Sequence, residues 1–320
     1  MPRITTPIRR IGVIGLGAMG LGVARSLLRG GFEVHVCDVR DEAVQEAVKA
    51  GGMAAPSPAA LAAGVEALLI LVVNAQQTEE VLFGEEGAAS KLASGSVVIG
   101  SATVSPDFAS ALGVRLRKLG LELIDAPMSG GSAKAASGEL TIMASGDPAA
   151  FARCDDALQA IASRVYRLGD APGPGSTVKM INQLLAGIHI AAAAEAMALG
   201  LHAGADPAKL YEVICNSAGG SWMFENRVPH ILAGDYTPLS AVNIFVKDLG
   251  IVLDYAKKNP FPLPLSATAH QMFLQAAAAG LGREDDSAVV KIFPNVALPT
   301  SNHSAAARET MPEPHGTSGN

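Results

Sequence analysis

An apolar strand running straight into three spaced glycines constrains this chain more than any other feature. Residues Arg10 to Gly20 read R-I-G-V-I-G-L-G-A-M-G, a helical apolar pattern follows, and a second strand pattern, Phe32 to Asp38, ends in an acid. Each glycine has a mechanical role: Gly15 makes the tight turn, Gly17 lets backbone amides approach a pyrophosphate, and Gly20 lets the new helix pack on the strand. That helix directs its positive N-terminus at the phosphates. The loop Gly15, Leu16, Gly17, Ala18, Met19 and Gly20 is therefore the expected dinucleotide cradle. Asp38 is placed to accept hydrogen bonds from the adenosine ribose hydroxyls, which favours NAD over NADP. Arg40, two residues on, is the competing feature, because a guanidinium there suits a 2′-phosphate.

The rest of the chain narrows the class. At 320 residues it is long enough for two domains, and its formal charge of −6 argues against a nucleic-acid partner. Nothing at the N-terminus reads as a signal peptide. The most apolar stretches are poor membrane spans: 54–73 contains Pro56, Pro58 and Glu66, and 186–201 contains His189 and Glu195. Three scattered cysteines, Cys37, Cys154 and Cys215, fit a reduced cytoplasmic protein, and the seven histidines form no metal-ligand spacing. No metal is expected.

Strand patterns near 10–15, 32–38, 67–73, 96–99, 121–125, 139–145 and 164–168 alternate with helix patterns over 18–30, 40–50, 77–83 and 105–119. This is the order of an α/β, Rossmann-like doubly wound parallel sheet, whose ligands bind beyond the carboxyl ends of the strands. After the break at Gly169–Gly175 a long helix should run from Ser176 to about Gly204. Further helices are predicted near 207–217, 222–233, 240–258, 263–280 and 285–292, with no returning strand pattern. The expected domains are 1–173, a dinucleotide-binding domain; 174–293, an all-α substrate and oligomerisation domain; and 294–320, a polar, Pro-rich disordered tail.

A hydride-transferring protein must manage one proton beside the nicotinamide. Lys179, in the first turns of the long helix, is the candidate, and Asn182 and Gln183 share its helical face. Partly desolvated near a helix N-terminus, such an amine should work as a base near neutrality. The competing reading is a solvated lysine on an amphipathic helix. In Asp125-Ala-Pro-Met-Ser-Gly-Gly131, Ser129, Gly130 and Gly131 expose a hydroxyl and adjacent amides suited to a carboxylate; an ordinary turn is the alternative.

With these residues placed, positions 10 to 292 resemble the β-hydroxyacid dehydrogenase family, which includes 3-hydroxyisobutyrate dehydrogenases and tartronate semialdehyde reductases. The likeness lies in I-G-x-I-G-L-G-x-M-G (Ile11–Gly20), D-x-P-x-S-G-G (Asp125–Gly131), G-x-x-x-K (Gly175–Lys179) and K-D-L (Lys247–Leu249). The resemblance implies that Lys179 is the general acid/base and that Ser129, Gly130 and Gly131 hold the substrate carboxylate. It implies cofactor contacts from Asn74 and Thr103, and from Lys247 to cofactor or substrate, an ion pair with Asp248 being the alternative for that lysine. Relatives commonly carry Asn-Asn at the third and fourth positions after the catalytic lysine, whereas this chain has Asn182 and Gln183. The run from Lys179 to Ala191 is most similar to a branch that oxidises a four-carbon sugar acid at C2 with NAD. Gln183, His189 and the segment from Ser217 to Trp222 are candidates for binding its extra hydroxyls. A small hydroxy acid is the expected partner, and Ala-rich helices point to a homodimer or homotetramer. A non-catalytic dinucleotide-binding module is the contrasting reading, against which the lysine weighs.

Overall fold

The computed structural model describes residues 6–300. Its first unit alternates β1 (Arg10–Ile14), α1 (Gly20–Arg29), β2 (Glu33–Cys37), α2 (Asp41–Lys49), β3 (Met53–Ala54), α3 (Pro58–Ala62), β4 (Ala67–Ile70), α4 (Ala75–Phe83), β5 (Val97–Gly100), α5 (Pro106–Arg117) and β6 (Glu122–Asp125). Then come β7 (Met128–Ser129), α6 (Gly131–Ser137), β8 (Leu140–Gly146), α7 (Pro148–Ile161) and β9 (Ala162–Arg167). The strands form one nine-stranded sheet in the order β3-β2-β1-β4-β5-β6-β8-β7, with β9 beside β8. The Rossmann-like α/β reading holds.

Six strands, β1 to β6, pair in parallel. Both faces are covered, so alternate residues enter different cores. Ala67 and Leu69 of β4 join one cluster, and Leu68 and Ile70 join another. This is why the strands read as continuous apolar runs. Strand order reverses between β1 and β4, which leaves a crevice at their carboxyl ends.

Besides the short elements β3, α3, β7 and α6, which were not predicted, two larger features depart from the expected pattern. The sheet ends in an antiparallel limb, because β8 runs antiparallel to β6 and to β7. Helix α7 was not predicted. Its buried face comprises Ala150, Phe151, Cys154, Ala157, Leu158 and Ile161, and alanines on its other face blur the periodicity. Its start is marked locally, since Asp147 accepts a hydrogen bond from the Ala149 amide at 2.7 Å and Pro148 opens the first turn.

Helix α8 (Pro174–His202) is 29 residues long, about 40 Å. The chain divides into two compact units between Asn182 and Gln183, inside this helix, whereas helix α8 begins where the sequence reading placed the boundary. The second unit continues with α9 (Pro207–Cys215), α10 (Trp222–Ala233), α11 (Val242–Lys258) and α12 (Pro264–Ala276), then a short 3₁₀ segment over Asp286–Ile292. By length and mean hydropathy, 1.7, α8 is the one helix among the described residues apolar enough to cross a membrane. Much of that hydropathy is alanine and methionine packed into the second core: Ile190, Ala191, Ala193, Ala194, Met197 and Ala198. A buried Arg227–Asp286 pair, with Nε 2.5 Å from Oδ1 and a second bond at 3.2 Å, holds the 3₁₀ segment to α10. Val296 and Leu298, inside the span expected to be a tail, pack against the same core; positions 301–320 lie outside the described residues.

Candidate active site

Parallel strands deliver their following loops to one edge of the sheet. The glycine loop follows β1, Asp38 follows β2, Asn74 lies in the loop after β4, and Thr103 in the loop after β5. Gly15 adopts φ +94°, and a Cβ there would lie 2.8 Å from the Leu71 backbone. A Cβ on Gly20 would lie 1.9 Å from the Gly15 carbonyl oxygen, so the turn closes only without side chains. At Gly17 a Cβ would meet nothing within 4 Å. The loop is thus closed towards the protein and open outward, with Gly17 and Ala18 exposed and Leu16 and Gly20 buried. That is a cradle a dinucleotide pyrophosphate fits.

Asp38 pins this loop. Its Oδ2 accepts the Leu16 amide at 2.6 Å and its Oδ1 accepts the Arg40 amide at 2.9 Å. Burial pushes the Asp38 carboxyl up, but those two amides and the Arg40 guanidinium more than offset it and hold the group below its ordinary value. Arg40 donates to Asp38 Oδ1 at 3.3 Å and to the Leu16 carbonyl at 3.1 Å, with its side chain more than half exposed. The carboxylate therefore sits at the β2 tip as a fixed negative charge. Asn74 has a local structural duty: its Oδ1 caps α4 by accepting the Gln77 amide at 2.8 Å. Thr103 is half-buried, and Ser105 beside it caps α5.

The strongest constellation centres on Asp125, at the end of β6. Its buried carboxylate accepts the Ser176 hydroxyl at 2.7 Å, the Ser176 amide at 2.8 Å and the Gly173 amide at 3.0 Å. Ser145 Oγ lies 3.4 Å away and in turn accepts the Gly175 amide at 2.9 Å. Burial raises the Asp125 carboxyl, and the hydrogen bonds from Ser176 and Gly173 oppose that rise. Asp125 thus ties the first turn of α8 to the edge of the sheet. Sequence reading used it only as the first letter of a loop motif. The missed signal was an acid at a strand end and a serine directly after a Gly-Pro-rich turn.

That tie sets the position of Lys179, three residues beyond Ser176. The Lys179 amine is buried and donates to the Met128 carbonyl at 2.7 Å. Met128 immediately precedes Ser129, so the structure brings the amine to the Ser129-Gly130-Gly131 loop. Gly130 has φ +138° and Gly131 φ +73°, and a Cβ on Gly130 would crowd Lys134 at 2.9 Å. Only glycine makes this consecutive turn, which leads with backbone amides into α6.

In the second unit, Gln183 Nε2 donates to buried Asp248 Oδ2 at 2.5 Å, and Lys247 Nζ lies 2.6 Å from Asp248 Oδ1. Lys247 therefore forms the ion pair named as its alternative. Asp248 was unassigned in the sequence reading, although an acid among the buried positions Phe245, Leu249 and Val252 of α11 is the mark of a specific pairing. Asn182 is half-buried on α8, and Trp222 is more than half exposed at the start of α10, where Ser221 serves as cap. Among the described residues, no group of three or more His, Cys, Asp and Glu side chains is placed to hold a metal.

Residues 10–169 match the NAD-binding domain of 6-phosphogluconate dehydrogenase, and 173–293 match the family described as NAD-binding of NADP-dependent 3-hydroxyisobutyrate dehydrogenase. The chain is 66% identical to an L-threonate dehydrogenase of Cupriavidus necator over 291 residues, covering 91% of this chain and 98% of that protein. It is 52% identical to an L-threonate dehydrogenase of Escherichia coli K12 over 290 residues, 90% of this chain and 96% of the relative. A crystal structure described as 3-hydroxyisobutyrate dehydrogenase from Salmonella typhimurium superimposes with a TM-score of 0.85 at 53% identity. It covers 89% of this chain and 99% of that one.

Replacing Asp125 tests the tie between sheet and helix. Asp125→Ala leaves the Gly173 and Ser176 amides and the Ser176 hydroxyl buried without their acceptor, at about 1–3 kcal/mol each. We expect urea denaturation to show a loss of at least about 3 kcal/mol; a loss below about 1 kcal/mol would contradict the assigned role.

Proposed function

The chain belongs to the β-hydroxyacid dehydrogenase family, and from that premise we propose that it is an NAD-dependent L-threonate dehydrogenase, converting L-threonate to 2-dehydro-L-erythronate. The 2.7 Å approach of Lys179 Nζ to the Met128 carbonyl, beside the Ser129-Gly130-Gly131 turn, carries this reading. It supports pairing an amine suited to proton transfer with backbone suited to a carboxylate. The C2 hydroxyl of a 2-hydroxy acid is one carbon from that carboxylate, so holding one end presents the other to the amine.

In this mechanism the substrate carboxylate docks on the Ser129 hydroxyl and the amides of the Gly130-Gly131 turn. Neutral Lys179 takes the proton of the C2 hydroxyl as its C–O bond becomes a carbonyl. The nicotinamide, when bound, supplies the acceptor for the C2 hydride. Gly15, Leu16, Gly17, Ala18, Met19 and Gly20 are assigned to the pyrophosphate, Asp38 to the adenosine ribose, and Asn74, Thr103 and Lys247 to further cofactor contacts. Asn182 and Gln183 are assigned to the substrate. Asp38 favours NAD, because a fixed carboxylate accepts from a ribose diol and repels a 2′-phosphate. The solved relative described as 3-hydroxyisobutyrate dehydrogenase keeps a branched four-carbon acid as the second substrate to assay.

We further assign the chain to the cytoplasm, in keeping with three free cysteines among the described residues. We read it as a homodimer or homotetramer, in keeping with Val178, Ile181, Leu185 and Leu199 exposed along α8. Light scattering should give a mass of two or four chains; a monomer at micromolar concentration would refute it.

Lys179→Ala should lower kcat on L-threonate by about 10²–10⁴-fold while NADH binding, followed by fluorescence titration, stays intact. Near-normal turnover would remove Lys179 from the mechanism. For the cofactor, Asp38→Ala should cut the NAD-over-NADP ratio of kcat/KM about ten- to hundredfold, the worth of a charge-assisted hydrogen bond. An unchanged ratio would mean that Asp38 serves only its own loop.

A further inference from the structure

Ser101 directly follows β5 and is only 6% exposed, yet its Oγ meets no hydrogen-bonding partner among the described residues. Nearby polar side chains are committed to the protein's own backbone. Asn74 and Ser105 cap α4 and α5, and Ser145 accepts the Gly175 amide. A buried hydroxyl without a partner is destabilising, and alanine in its place would remove that cost. The polar group that offsets it is therefore sought in a ligand.

Backbone pairing fixes where this hydroxyl lies. The Ser101 amide donates to the Ile70 carbonyl at 3.0 Å, at the end of β4, and the Gly100 carbonyl accepts the Ala126 amide at 2.8 Å, just beyond β6. Ser101 thus stands at the carboxyl edge of the sheet, between the ends of β4 and β6. Val97 and Ile99 enter the core that α1 covers, whereas Gly100 and Ala102 border a small cavity against Phe108 and Leu112 of α5. Alternation places Ser101 on the Ile99 side, the side of the glycine loop and its helix.

A dinucleotide laid over the reversal of strand order has its pyrophosphate at the glycine turn after β1. Asp38, assigned to the adenosine ribose, follows β2 on one side of that turn. The nicotinamide half then extends to the other side, over β4 and β5. Ser101 is two strands from β1 in that direction, about 10 Å at the usual strand spacing. We propose that Ser101 is a cofactor-binding residue whose hydroxyl hydrogen-bonds the carboxamide of the nicotinamide. A hydroxyl both donates and accepts and turns about one bond, so it serves either end of a primary amide. Holding that amide fixes the rotation of the ring about its bond to the ribose, and with it the ring face presented for hydride transfer. The inference rests on the dinucleotide site alone, not on the choice of acid substrate.

The test compares Ser101→Ala with the unsubstituted full chain by calorimetric titration. One ligand is NAD; the other is ADP-ribose, which keeps both riboses and the pyrophosphate but lacks the nicotinamide. We expect Kd for NAD to rise about three- to tenfold, the worth of one neutral hydrogen bond, while Kd for ADP-ribose stays within about twofold. Without ligand, the variant should melt no lower than the unsubstituted chain, because only an unpartnered hydroxyl has been removed. An unchanged Kd for NAD, or an equal loss on ADP-ribose, would overturn the assignment. So would a lower melting temperature of the free variant, which would give the hydroxyl a partner within the protein. Failure of the dinucleotide site itself would appear separately, as an unsubstituted chain that binds neither ligand, and would overturn this inference with it.

Discussion

One carboxylate, that of Asp125, holds the candidate site together. It stands where β6 leaves the sheet and accepts hydrogen bonds from the backbone that starts α8. The loop that bends through Ser129, Gly130 and Gly131 departs from the same strand end. Lys179 rides on the helix so anchored and reaches back to the carbonyl of Met128. Two segments separated by some fifty positions thus share one buried acceptor, and the amine needs no long flexible reach. An acid this deeply desolvated is stable only because serine and amide donors surround it, so the anchor is strong and fixed in direction.

How much of this was legible in the sequence follows from how local each determinant is. The strand, three glycines, helix and terminal acid at 10–38 act on each other within one super-secondary unit, and the structure places them as read. The place of Lys179 in the first turns of α8 was legible for the same reason, since glycine spacing and helix start surround it. What escaped depends on distant partners. The pairing of Gln183 with Asp248 joins residues 65 positions apart, and no short-range pattern specifies it. Helix α7 escaped because alanine is at home on either face, so burial left little contrast in the sequence. The antiparallel limb escaped because strand direction is set by which edge is vacant, not by the composition of β8.

The two ends of the cofactor cradle show how the same residue types carry unequal burdens. Asp38 closes its loop through the Leu16 amide, so the ribose contact proposed for it is coupled to a structural role. Asn74 is likewise committed to the start of α4 through its Oδ1. In both places a polar side chain first satisfies the protein's own backbone.

Because α8 is unbroken from Pro174 to His202, it works as a graduated rod. Lys179, proposed above to remove a proton, and Gln183, proposed above to bind substrate, are marks about one pitch apart on it. A residue added or deleted between them would swing Gln183 around the axis by about 100° relative to Lys179. Length in that short interval is therefore constrained far more tightly than the identity of Met180 or Ile181, and diversification of this site is expected to proceed by exchange of side chains, not by indels.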